Sequence, residues 1–175
     1  LLGRLGIPFE VQVAAVAEHE DPTSDPVETV CHNAALKAAA VSRQRPEALV
    51  LGSDTVVAIE GEVLHKPVDF AAARSMLLRL AGRSHVVHTG VCLRFGGWQL
   101  DESTAHTSTV TFHAFDDATI TAYFALTNPL DKAGGYGIQD GRELIIAGVE
   151  GSVSNVMGLP LEWLETRLQE LGLRR

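Results

Sequence analysis

The sequence predicts an α/β fold in which a twisted, mixed β-sheet is flanked by helices and the chain forms two lobes around a central cleft. Three observations carry that expectation. Apolar runs of strand character (Leu49–Leu51, Val56–Ile59, Ser84–Phe95) alternate with segments whose apolar residues recur at helical spacing, such as Val30, Ala34, Ala38 and Val41. At 175 residues the chain suits one compact domain or two small lobes with a substantial core. Between two α/β portions lies a long hairpin-like stretch turning at Gly96-Gly97.

From the first residue onward, each element has a local reason. Leu1–Leu5 reads as the end of a helix, closed by Gly6 with Pro8 beyond. Phe9–Val13 alternates and reads as a strand. Glu18-His19-Glu20-Asp21 is an acidic segment, in its plainest reading a solvated loop. Asp25-Pro26-Val27-Glu28 opens a helix to about Ser42, with a capping aspartate and proline at the first helical position; Lys37 falls at the margin of its apolar face. Ala48–Leu51 is a buried-strand run that breaks at Gly52-Ser53, presents Asp54 and Thr55, and resumes at Val56–Ile59. Glu60-Gly61 turns the chain, and Val63-Leu64 returns it, bringing Lys66 back toward Asp54. Asp69 caps a helix to Leu80, closed by Gly82, whose Ala73, Met76, Leu77 and Leu80 form a core stripe.

Ser84–Phe95 and Gln99–Phe115 are the long strands. His85 and His88, three apart, face opposite sides of the first, so they are expected to be structural or exposed histidines and not a chelating pair. Asp116 caps a short helix to about Ala125, broken by Asn128-Pro129. Asp131–Gly141 is glycine-rich and encloses Lys132, Tyr136 and Gln139: a cation, an aromatic face and an amide within a backbone that can approach a ligand closely. Leu144–Val149 is a strand, Gly151–Gly158 a loop with Asn155, and Leu159-Pro160 opens a final amphipathic helix to Leu171.

Composition limits the function. A net charge of −8 argues against a nucleic-acid polymer as partner, because such binding needs basic patches, yet leaves room for a small phosphorylated ligand. No apolar run is long enough to span a membrane. Two isolated cysteines, Cys31 and Cys92, make neither a zinc site nor a disulfide framework and point to a reducing, cytoplasmic setting. Asp54 is the candidate centre: a carboxylate inside an apolar strand costs several kcal/mol of desolvation unless it is paired, hydrogen-bonded or bound to metal. An acid and an amine, Asp54 and Lys66, meeting at the end of a hairpin would make a metal-and-phosphate corner.

Several segments together resemble the Maf family of nucleotide pyrophosphatases. They are Gly52–Val57, Leu64–Pro67, Met76-Leu77 with Leu80–Gly82, His85–Val91, Asp131–Gln139 and Asn155–Pro160, in family order over nearly the whole chain. The resemblance implies the two-lobed fold shared with inosine-triphosphate pyrophosphatases, a single domain over residues 1–175, a homodimer, and a divalent cation (Mg2+ or Mn2+) as cofactor. It implies hydrolysis of a nucleoside triphosphate to monophosphate and pyrophosphate, a house-cleaning role with a link to cell-division arrest. Asp54 matches the family's proton acceptor and Lys66 and Lys37 its cleft lysines. Glu18 matches an early acidic motif, whose preceding aspartate is Ala17 here, and shares with Asp54 the expected metal. Thr55 and Gln139 fall at positions tied to base choice, and Lys132–Tyr136, with Gly135 within it, resembles the branch acting on dTTP and UTP. The alternatives are a 7-methyl-GTP or other purine pyrophosphatase of the same family, and a non-catalytic nucleotide-binding domain. The family opens with a strand and a Ser-x-x-Arg-Arg loop that contacts the triphosphate. This chain begins just after that point, and Leu1-Leu2 reads as the remainder of the helix the loop would open.

Overall fold

Residues 1–19, 21 and 23–173 are described by a computed structural model. Glu20 of the acidic segment lies outside the described residues. The chain divides into two compact units, one of residues 1–55, 89–106 and 158–175, the other of residues 56–88 and 107–157.

Helix α1 (Pro26–Ser42) starts where the capping sequence places it: the Asp25 carboxylate accepts from the backbone N–H groups of Val27 and Glu28 at 2.8 and 3.1 Å. Strand β1 (Val50–Ile59) turns into β2 (Glu62–Leu64) through Glu60 and Gly61, both at positive φ (54° and 81°), the tight turn whose twist matches antiparallel strands. Asp69 caps α2 (Phe70–Leu80), which leads into β3 (Ser84–Phe95). A short 3-10 turn at Gly96–Trp98 joins β3 to β4 (Leu100–Phe112). The chain continues through α3 (Asp117–Phe124), α4 (Arg142–Ile145), β5 (Ile146–Glu150), α5 (Val153–Val156) and α6 (Leu161–Glu170).

The described strands form a five-stranded sheet in the order β2-β1-β3-β4-β5. β1 pairs antiparallel with β2, and β4 with β5. Side-chain contacts along β3 and β4, Ser84 with Thr111 and Arg94 with Asp101, run in opposite senses along the two strands, so this pair is antiparallel too. Where the sequence pointed to a mixed sheet, these pairings are therefore antiparallel. β2 occupies the edge, and α2 returns the chain to β3 on the other side of β1.

Each unit has its own core. Leu77, Leu80, Val87, Phe112, Ile120 and Tyr123 are buried in the second; Leu5, Val91, Leu93, Leu161, Leu164 and Leu168 in the first. Several local expectations need correction, among them the loop expected over Gly151–Gly158, which contains the single turn of α5. Leu2–Leu5 is a single 3-10 turn closed by Gly6 in the left-handed region, not an α-helix. Phe9–Val13 forms no strand among the described residues: Val11 and Val13 are 85% and 88% exposed, and alternation yields a strand only where a neighbour supplies the ladder. Leu144 and Ile145, expected to open a strand reaching Val149, close the single turn of α4 instead, and β5 starts at Ile146.

Candidate functional site

The expected break at Gly52-Ser53 is absent: β1 runs unbroken through both residues, and the reason is α1. A side chain at Gly52 would fall on the Ala34 carbonyl, well inside contact distance, and one at Gly90 on β3 would meet the backbone of Val30 and Cys31. Two strands thus lack side chains where the backbone of α1 lies against them. Ser53 is accommodated because its hydroxyl lies 2.8 Å from the Gly158 carbonyl and 3.1 Å from that of Gly90, donating to one at a time.

This close seating brings one face of α1 to Asp54. The Lys37 ammonium donates to the Asp54 carboxylate at 2.7 Å and reaches the Glu18 carboxylate at 3.1 Å. Their side chains are 23% (Lys37) and 11% (Asp54) exposed, so the pair is held largely away from water. Burial works against the Lys37 charge, but hydrogen bonds and charge from Asp54 and then Glu18 outweigh it and hold the ammonium above its ordinary pKa. One turn earlier on α1, Asn33 donates to the other Asp54 oxygen at 3.1 Å. Thr55 pairs hydroxyl to hydroxyl with buried Thr89 at 2.9 Å. The same unit carries an open groove of about 1170 Å³, lined largely by apolar side chains such as Val11, Val13, Leu51 and Leu164, that extends to Glu18 and Lys37.

The remaining expected residues belong to the second unit. The glycine-rich segment is tied down at several points. Gly134 donates its N–H to the His65 carbonyl at 3.2 Å, next to Lys66. Tyr123 and Gly137 exchange hydrogen bonds at 2.9 Å, and buried Tyr136 meets the His85 ring nitrogen at 2.7 Å. Lys132 donates to Asp131 at 2.6 Å and to the Asn128 carbonyl at 2.9 Å, while its aliphatic stem covers Gly137, where a side chain would collide with it. The hydrogen bond from Lys132, opposed by slight burial and joined by the charges of Lys132 and Lys66, holds the Asp131 carboxyl below its usual range. Gly134 and Gly135 are buried at positive φ, whereas Gln139 and Lys66 are not: Lys66 is exposed and Gln139 belongs to the loop beyond.

Of the expected residues, the structure thus joins Glu18, Lys37 and Asp54 in one network, puts Thr55 next to Asp54 on β1, and associates Lys66, Lys132, Gly135 and Gln139 with one glycine-rich segment. Of the two histidines expected to be structural or exposed, His85 is buried against Tyr136 and Phe112, and His88 is half-buried and bonded to Thr107 at 2.8 Å. Asn33 was missed. Its signal was its spacing, four residues before Lys37 on the same helical face. Among the described residues no group of three or more His, Cys, Asp or Glu side chains could hold a metal. Asp54 and Glu18, both paired to Lys37, are carboxylates of the hard oxygen-donor type of which Mg2+ takes one or two, its remaining positions going to water and substrate phosphates.

A family model described as "Maf-like protein" matches residues 1–171. Proteins described as dTTP/UTP pyrophosphatase are similar to the chain over nearly its full length. That of Salinibacter ruber is 45% identical over 97% of this chain and 83% of its own, and that of Symbiobacterium thermophilum 46% over 98% and 88%. That of Deinococcus radiodurans is 41% identical over 99% and 87%.

Proposed function

Because the chain belongs to the Maf-like protein family, we propose that it is a nucleoside triphosphate pyrophosphatase, hydrolysing dTTP and UTP to the monophosphate and pyrophosphate. The observation that carries this is the largely buried network of Asp54, Lys37 and Glu18 on an otherwise apolar strand, in a chain whose relatives are described as dTTP/UTP pyrophosphatases. A buried acid fixed by an ammonium and an amide is costly to keep for packing alone. The glycine-rich segment, with Lys132, Gly135 and Gln139, supports the pyrimidine preference. The reading carries with it a homodimer and a cytoplasmic setting, the latter in keeping with the free thiols of Cys31 and Cys92.

Hydrolysis at the α-phosphorus needs an oriented water, neutralised phosphate charge and a held leaving group. Asp54 is the proton acceptor for that water. Lys37 donates to one of its oxygens and Asn33 to the other, and a carboxylate oxygen that accepts one hydrogen bond keeps a further lone pair. Lys37 and Lys66 balance the phosphate charge, and Lys132 adds a cation near the glycine-rich segment. Thr55, Gln139 and the backbone around Gly135 read the base. Asp54 and Glu18 would hold a divalent cation, which when bound neutralises negative charge on the phosphates.

The test is pyrophosphate release from dTTP, UTP, CTP, GTP and 7-methyl-GTP with Mg2+ or Mn2+. Turnover confined to dTTP and UTP supports the proposal. Turnover of 7-methyl-GTP alone overturns the assignment of Gln139 and its segment, and nucleotide binding without turnover of any substrate overturns the catalytic reading.

A further inference from the structure

We propose that Asn33 is a positioning residue for this site, holding the segment that carries Glu18 against α1 while it orients the Asp54 carboxylate; the inference rests on the pyrophosphatase reading for its consequence in turnover. A carboxamide offers two N–H donors and one carbonyl acceptor, and Asn33 spends all three. One N–H goes to Asp54 Oδ2 at 3.1 Å, the other to the His19 carbonyl at 3.1 Å, and its own oxygen accepts the His19 N–H at 2.8 Å. The side chain is 3% exposed, so these bonds are made out of competition with water.

The two bonds to His19 reproduce on a side chain the N–H and C=O exchange of a strand pair, for a stretch that is neither helix nor strand. Glu18 is the next residue along that stretch, and its carboxylate reaches the Lys37 ammonium at 3.1 Å, one helical turn beyond Asn33. One amide therefore fixes two carboxylates: Asp54 directly, Glu18 through the backbone of its neighbour. Aspartate at position 33 would keep the acceptor for the His19 N–H and lose both donors. Leucine would fill the space and lose all three bonds. Asn33 acts through Asp54 and Glu18 and need not touch the reacting atoms.

The experiment combines hydrogen exchange at the His19 amide with steady-state kinetics on dTTP, in the full chain and in the variants Asn33→Leu and Asn33→Asp. In Asn33→Leu the His19 amide is expected to exchange at least about tenfold faster, with kcat down roughly ten- to a hundredfold and KM changed far less, as for other losses of a ligand-orienting group. In Asn33→Asp the His19 amide stays protected while kcat still falls, which separates the two halves of the role and covers a Leu variant that fails to fold. Combined with Glu18→Gln, the Asn33→Leu loss should shrink, because the segment it held no longer carries a carboxylate. Unchanged His19 exchange in Asn33→Leu, or losses that simply multiply with those of Glu18→Gln, overturn the proposal. A parent chain that turns over no nucleotide overturns the pyrophosphatase reading instead, and the His19 exchange then decides the clamp by itself.

Discussion

Acid should destabilise the second unit through one side chain, His85. Its ring is 3% exposed, packed edge-on against Phe112 and Tyr136, and one nitrogen meets the Tyr136 hydroxyl at 2.7 Å. The other, Nδ1, is buried with no hydrogen-bond partner among the described residues, so a proton there would leave a buried N–H with no acceptor. Burial accordingly pushes the His85 pKa from 6.5 down to about 4. Between those values the unfolded chain carries a proton that the folded chain refuses, so stability is intact above pH 6.5 and falls as pH drops. At about 1.4 kcal/mol per pH unit over that interval, the loss by pH ~4 is about 3 kcal/mol, a large share of a typical domain's stability. The assay is urea unfolding of the parent chain and of His85→Leu at several pH values from about 7 to about 4. The leucine variant leaves the Tyr136 hydroxyl unpaired and should start about 1–3 kcal/mol less stable at neutral pH. Its deficit should close or reverse at the acid end, because it has no buried imidazole to protonate. Parallel curves across that range would refute the reasoning.

Asp54→Asn should leave a folded chain, since the amide can still accept from Lys37, but lower turnover of dTTP by about a hundred- to ten-thousandfold through loss of the proton acceptor. Near-parental turnover in a folded variant would remove Asp54 from the mechanism. Gly52→Ala should cost about 3 kcal/mol or more, because its methyl meets the Ala34 carbonyl and the Ala38 amide nitrogen of α1 and backbone cannot yield cheaply. A urea midpoint within error of the parent would show that α1 can lift away from β1 at little cost.

The parts of this chain that could be read in sequence are those where one residue type has one physical outcome. Asp25 before Pro26, Asp69 and Asp116 each mark a helix start, and each carboxylate does accept from the backbone of the first turn. The apolar run Ser84–Phe95 is a strand to the residue, being long and buried along most of its length. Phe9–Val13 shows the converse: its alternation is clean, yet it lies outside any strand because alternation specifies a face and not a partner. The same limit hid the path of β1. A Gly-Ser pair in an apolar run reads as a break when the chain is taken alone, and becomes a strand once a helix backbone is pressed against the glycine.

The site divides along the same line. Asp54 stood out because a carboxylate inside an apolar strand demands compensation, but the amine that the chain order offered it was Lys66; Lys37 and Glu18 entered the expected site only through the family resemblance, and the structure pairs Asp54 with Lys37. Asn33 carries no charge, sits in a helix where its propensity is poor, and gains its meaning only from three bonds to residues 14 and 21 positions away. Those bonds exist because Gly52 and Gly90 let α1 settle against the sheet, so that the face bearing Asn33 and Lys37 comes down on Asp54. Two glycines, which no reading of charged or catalytic side chains would single out, therefore decide whether the acid, the amine and the amide meet at all. For this chain the chemistry of the site can be read from its charged residues, but its geometry is set by residues with no side chain.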